Sequence, residues 1–218
     1  MPQRFELLVF DWDGTLMDSA ASIVASLQWA ADDLGLPVPS EAQARHIIGL
    51  GLQEAIAEIM PALPLADYPR LIDRYRFHYL ARDHEIALFD GVAEGIPALA
   101  AAGFTLAVAT GKSRRGLDRA LEHSGLRSCF QATRCADESV SKPHPAMLEA
   151  LMNELGVGSA ATVMIGDTTH DLAMARSAGV RSIAVAYGAH EKDALAPFEP
   201  LLCAEHFREV AQWLHTNG

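Results

Sequence analysis

Two aspartates one residue apart, in Asp11-Trp12-Asp13-Gly14-Thr15, follow directly on the apolar run Leu7 to Phe10. Side chains alternate along an extended chain, so this spacing sends both carboxylates to one side. A pair this close can divide labour: one ionised carboxylate attacks as a nucleophile, and the other holds a proton for the leaving group. Gly14 lets the chain turn sharply and approach a ligand closely. The same segment also reads as an Asp-rich turn capping a helix, so it settles nothing by itself.

Other apolar runs end in complementary groups. Val108-Ala109-Thr110-Gly111-Lys112 closes one of them with a hydroxyl, a glycine amide and a helix start, the parts of an anion cradle. Lys142-Pro143-His144-Pro145 sets a cation just before a helix, with Pro145 suited to its first turn. Of the three lysines, Lys112 and Lys142 fall in such loops, and Lys192 does not. That placement favours phosphate binding over a scattered surface role. Ile165-Gly166-Asp167-Thr168-Thr169-His170-Asp171 adds two carboxylates, four residues apart. Helix capping explains Asp167 or Asp171 singly but not the set. If Asp11, Asp13, Asp167 and Asp171 converge, each close pair costs about 4 kcal/mol at an effective dielectric of about 20. A hard divalent cation, held by carboxylates, water and a substrate phosphate, supplies the missing charge, and magnesium prefers such a set. Lys142 neutralises part of the remainder.

These groups need a scaffold that gathers strand ends. The runs Leu7 to Phe10, Thr105 to Ala109, Thr162 to Ile165 and Ser182 to Ala186 alternate with helical patterns. Those patterns cover Gly91 to Ala101, Arg114 to His123, Ala146 to Leu155 and Asp171 to Ser177, with a last amphipathic helix over Glu205 to Leu214. This order predicts an α/β fold with a parallel sheet, buried on both faces. The stretch Ser19 to Ile86 breaks the rhythm and reads as helical throughout. Its first helix follows Ser19 and ends near Gly35, Ser40 caps the next, Pro61 and Pro64 interrupt, and Asp67 to Ala87 forms the last long helix. The expected organisation is a core of residues 1–17 and 89–218 with an inserted helical domain at 18–88. Two short tethers allow hinge closure over the core.

Composition narrows the partners. The 218 residues are 50% hydrophobic and 21% charged, which excludes a disordered chain. A net charge of -11 speaks against nucleic acid and anionic membranes as partners. Phe5 to Phe10 contains Glu6 and runs into Asp11, so it matches neither a signal peptide nor a membrane span, and a cytoplasmic location is expected. Cys129, Cys135 and Cys203 form no C-x-x-C pair and are expected to be packing residues. The histidines show no metal-ligand spacing, so zinc is not expected.

D-x-D-G-T, the strand-end Thr110, Lys142-Pro143 and the G-D-x-x-x-D of Gly166 to Asp171, in this order, resemble the haloacid dehalogenase superfamily. Within it they are similar to the phosphoglycolate phosphatase-like branch, which carries a helical cap after the first strand. The resemblance spans nearly the whole chain. It implies a Rossmann-like core and hydrolysis of a small phosphorylated metabolite, with 2-phosphoglycolate the leading candidate. Asp11 would attack phosphorus and form an aspartyl phosphate, and Asp13 would protonate the leaving oxygen and then activate water. Thr110 and Lys142 would hold the phosphoryl oxygens, with the amides of Trp12, Asp13 and Gly111. Magnesium would bind the Asp11 and Asp167 carboxylates and the Asp13 carbonyl, with Asp171 orienting waters or Lys142. The resemblance also implies a cis Lys142-Pro143 bond. The dehalogenases themselves lack the second aspartate, so Asp13 points to phosphoryl transfer. Asp90 departs from the pattern, since many relatives carry proline there. In the cap, Arg45-His46 beside a glycine-flanked turn reads either as a substrate carboxylate contact or as a plain helix connection. His144 and His170 are expected to be peripheral. The rival readings are a sugar phosphomutase and a non-catalytic phosphate-sensing protein.

Overall fold

A computed structural model describes residues 5–218. The chain opens with β1 (Leu7–Phe10), then α1 (Ala20–Asp33), α2 (Glu41–His46), α3 (Leu52–Ile59), α4 (Tyr68–Arg82) and α5 (Val92–Ala101). It continues through β2 (Thr105–Thr110), α6 (Arg114–Ser124), β3 (Ala132–Cys135), α7 (Ala146–Leu155), β4 (Thr162–Gly166) and α8 (Thr169–Ser177). It ends with β5 (Arg181–Val185), α9 (Lys192–Leu195), β6 (Cys203–Ala204) and α10 (Phe207–Asn217). The strands form one sheet in the order β3-β2-β1-β4-β5-β6, every neighbouring pair parallel.

β1 lies at the centre of this sheet and is buried along its whole length. Its side chains alternate: Leu8 and Phe10 pack with Val92, Ile96 and Leu99 of α5, Leu117 of α6 and Val210 of α10. Leu7 and Val9 pack on the other face with Leu148 and Leu151 of α7 and Met174 of α8. Burial on both faces is what a parallel sheet requires, and it explains the unbroken apolar runs in the sequence. Because β2 and β4 flank β1 and leave it in opposite directions, the carboxyl end of β1 is a topological switch point, where open α/β sheets bind ligands.

Helices α1 to α4 build two apolar clusters of their own, one around Val24, Leu27 and Ile48 and one around Ala31, Ile56 and Leu71. The two tethers run side by side, with the Asp18 amide donating to the Ala87 carbonyl and the Phe89 amide to the Leu16 carbonyl, both at 3.0 Å. Among the described residues no helix is long and apolar enough to cross a membrane.

Some boundaries differ from the expectation. β3 and β6 were not anticipated: β3 sits at a sheet edge with Thr133 and Arg134 half-buried, so it carries no apolar run to betray it, and β6 is two residues long. The long helix of the insert stops at Arg82, not Ala87, and a single tighter turn at Asp83–Glu85 leads to the second tether. α8 begins at Thr169 because Thr168 and Asp171 form a reciprocal capping box. The cysteines are free thiols, Cys135 buried and Cys129 and Cys203 half-buried.

Candidate active site

The end of β1 is prolonged by one residue, because the Asp11 amide donates to the Ile165 carbonyl at 2.9 Å. This locks Asp11, fully buried, above the seam between β1 and β4. Gly14 then takes φ +80°, and the turn runs so close to Asp167 that a methyl group at Gly14 would lie 2.1 Å from Asp167 Oδ2. Only glycine suits both the conformation and the space.

Lys142, on the loop after β3, reaches into the same place. Its Nζ lies 2.8 Å from Asp11 Oδ1 and 2.7 Å from Asp171 Oδ1, with all three side chains buried. The bond between Lys142 and Pro143 is cis, as the resemblance implied. Both oxygens of Asp171 are engaged, since Oδ2 accepts from the Thr168 amide at 3.1 Å and from Thr168 Oγ1 at 2.7 Å. Asp171 therefore caps α8 and steers Lys142 at once. Asp167 accepts one hydrogen bond on each oxygen, from Thr15 Oγ1 at 2.8 Å and from the Ala189 amide at 2.7 Å. Asp11 Oδ2 is buried and has no hydrogen-bond partner among the described residues.

Asp11, Asp167 and Asp171 each bring an oxygen to within 4.8 Å of the others. One ammonium cannot balance three carboxylates. Burial pushes the Asp11 carboxyl well above the usual range against the pull of Lys142, and burial with the Asp171 charge pushes Asp167 up to about 7. Burial works against the Lys142 ammonium as well, but Asp11 and Asp171 hold it charged. A surplus of buried oxygen donors, one of them unpartnered, fits a hard divalent cation.

Asp13 is held by residues whose part was not read from the sequence. Ser19 Oγ donates to Asp13 Oδ1 at 2.6 Å, and Lys112 Nζ lies 3.0 Å from the same oxygen. Lys112 also donates to Tyr79 Oη of α4 at 3.0 Å, so it bridges the core and the helical insert. Its place directly after Thr110-Gly111 marked it as a phosphate cation, yet its charge is spent on the second aspartate. Thr110 is buried at the end of β2, where its Oγ1 accepts from the Lys112 amide at 3.2 Å.

The loop between α2 and α3 lies against the core beside these groups. The Gly51 amide donates to Ser141 Oγ at 2.9 Å, next to Lys142. His170 Nε2 and His190 Nε2 both donate to the His46 carbonyl, at 2.8 and 3.1 Å. Burial lowers both rings' tendency to protonate. His170 is thus a bolt between insert and core, not peripheral; His144 is exposed and accepts from the Ala146 amide. Gly111 makes the tightest approach: a methyl group there would lie 2.5 Å from the carbonyl oxygens of both Gly49 and Leu50. Gly111→Ala is accordingly expected to lift this loop without unfolding the core. Hydrogen exchange should show the Gly51 amide exchanging at least about tenfold faster than in the wild type.

Arg45 and His46 are not brought to the carboxylates. Arg45 pairs with Glu41 one turn back at 3.0 Å, and the exposed His46 ring pairs with Glu58 at 3.0 Å and stacks on His190. The segment meets the core through the His46 carbonyl and through the His46 ring on His170 and His190, away from the carboxylates. Trp12 buries its ring edge-on to Phe130, which leaves only its main chain for the site.

The haloacid dehalogenase-like hydrolase profile matches residues 8–185. "Probable phosphatase IndB" of Dickeya dadantii is 38% identical over 96% of this chain and 93% of its own length. A phosphoglycolate phosphatase of Agrobacterium fabrum is 35% identical, covering 84% of this chain and 81% of its own. A hydrolase from Pseudomonas syringae shares the fold, with a TM-score of 0.88 over 96% of this chain and 97% of that one at 21% identity. The profile covers every residue of the Asp11, Thr110, Lys142 and Asp167 cluster, and the chain belongs to the haloacid dehalogenase-like hydrolase family.

Proposed function

We propose that this hydrolase is a magnesium-dependent phosphatase of small phosphorylated metabolites, working in the cytoplasm through an aspartyl phosphate on Asp11. The observation that carries the reading is Asp11 Oδ2, a buried carboxylate oxygen without a partner among the described residues, on a side chain fixed by Lys142. Relatives named as phosphatases support it.

In this reading Asp11 Oδ2 attacks phosphorus, the bond from phosphorus to the alcohol oxygen breaks, and Asp13 gives that oxygen its proton. Asp13 then takes a proton from water, the water oxygen attacks phosphorus, and the Asp11–phosphorus bond breaks to release inorganic phosphate. Ser19 and Lys112 fix Asp13 Oδ1, which leaves Oδ2 to carry the proton. Lys142, positioned by Asp171, and Thr110 hold phosphoryl oxygens together with the amides of Trp12, Asp13 and Gly111. Asp11, Asp167 and the Asp13 carbonyl would hold magnesium, which supplies charge neutralisation for the phosphoryl group. Residues 18–88 serve as the cap that closes on the substrate.

The test is phosphate release from a panel of phosphomonoesters that includes 2-phosphoglycolate, the substrate named for one relative. Turnover should disappear on exhaustive chelation and return with magnesium. Acid quenching during turnover should trap phosphate on the peptide that contains Asp11. Full activity after chelation removes the metal from the mechanism, and phosphate trapped on another residue removes Asp11. A phosphomutase would instead isomerise sugar monophosphates with little phosphate released.

A further inference from the structure

Resting on the phosphatase reading above, we propose that the alcohol half of the substrate is an apolar group of bicyclic or medium-chain size. Beside Asp13 lies a cavity of about 270 Å³, between α1, α3, α4 and the loop after β2. Protein interiors are close-packed, with few voids larger than a water molecule. An apolar cavity of about 150 Å³ is already enough for benzene. The walls here are Ile23, Leu27, Ile48, Ile56, Leu71 and Ile72, and Asp13, Gly111 and Lys112 stand at one side.

The direction of the chemistry gives this cavity its role. Asp13 protonates the leaving oxygen, so the alcohol lies on the Asp13 side of phosphorus, and Asp13 lines the cavity whereas Asp11 and Lys142 do not. Glycolate would fit this space badly, since two carbons leave most of the apolar wall uncovered. Its carboxylate would also find few partners. Lys112 is paired with Asp13, Arg119 with Asp83 at 2.7 Å and Arg76 with Asp73 at 3.7 Å, which leaves the exposed Arg115 at the rim. Among the polar groups of the lining, Tyr75, stacked on Tyr79, has a hydroxyl without a hydrogen-bond partner among the described residues. An apolar alcohol with a single polar substituent matches that lining.

The test is a series of n-alkyl phosphates from ethyl to octyl, whose leaving groups are nearly equal in basicity, so that chain length isolates burial. With magnesium present, kcat/KM should rise about fourfold per methylene. The gain should reach at least about 100-fold from ethyl to hexyl, and hexyl phosphate should surpass 2-phosphoglycolate. Calorimetry with the non-hydrolysable hexyl- and ethylphosphonates reads the same preference without turnover, and the hexyl compound should show the more negative heat-capacity change. Ala55→Phe and, separately, Ile23→Trp fill the cavity and should bring the hexyl-to-ethyl ratio towards one, with circular dichroism checking the fold. Turnover with a flat series, a faster 2-phosphoglycolate, or an unchanged ratio in a folded cavity-filling variant overturns the inference and leaves the phosphatase standing. Length-dependent phosphonate binding without turnover of any ester upholds the apolar pocket and overturns the phosphatase.

Discussion

Asp11→Asn is expected to lower turnover by at least about 10⁴-fold while the protein stays folded, because an amide oxygen cannot form the phosphoenzyme. The size of the effect follows from position. Asp11 is the carboxylate that combines an unpartnered oxygen with full burial at the end of β1, so no neighbour is placed to replace it. Stability should move little. Burial holds the Asp11 carboxyl well above its usual range, so its charge is costly in the folded state without metal. The neutral amide keeps the shape, and Lys142 keeps Asp171 at 2.7 Å. Phosphate release by the variant, with its melting temperature measured alongside, checks both halves. Turnover within tenfold of the wild type excludes the covalent mechanism, and a large loss of melting temperature would show that Asp11 is mainly structural.

Lys142→Met should abolish activity and also destabilise the metal-free protein by about 3–5 kcal/mol, because it leaves buried carboxylates without their ammonium. For a chain of this size that corresponds to a drop of about 10 °C in melting temperature. The pH dependence has a definite sign. Asp167 is pushed up to about 7 in the folded protein from an ordinary 3.8, so the folded form binds the extra proton between those values. Stability from this group is present at low pH and is lost as pH rises from about 4 to about 7. Removing Lys142 takes away a charge that favours the ionised Asp11 and Asp167, so Asp167 of the variant keeps its proton to higher pH and the deficit should widen as pH rises through about 7. Differential melting curves at pH 5 and pH 8, without divalent cations, measure it. An equal deficit at both values would show that Lys142 acts through packing alone.

Lys112 and Arg45 show how far residue types carry an argument. Both were cations in loops or at helix ends with a phosphate or carboxylate role available. Lys112 proves to join Asp13 to Tyr79, a partner 33 residues away on α4, and no local spacing announces such a contact. Arg45 is satisfied by Glu41 at the i,i+4 spacing, a pairing that was legible on the sequence. Ser19, Ser141 and His190 carry no motif of their own. Ser19 donates to Asp13, Ser141 accepts from the Gly51 amide and His190 donates to the His46 carbonyl, and the last two of these bonds join residues far apart in the chain.

The sequence by itself determined the parallel sheet, the helical insert and the strand-end groups. Buried strands must be apolar along their length, the turns that follow them must be polar or glycine, and those signals are local. It also determined that the aspartates need a counter-charge, which is electrostatics independent of detail. The edge strands β3 and β6 escaped, because a strand paired on one side can remain polar. Tertiary structure alone decided which cation serves which carboxylate, with Lys142 going to Asp11 and Asp171 and Lys112 to Asp13. It alone decided that Gly49 and Leu50, not Arg45 and His46, meet the core at Gly111. It also opened a cavity between the insert and the core where a local reading of the apolar helices sees only packing. The reason is the same in each case: pairing and packing depend on distances between residues far apart in sequence, and those distances exist only once β1, β2 and β4 have brought their ends together.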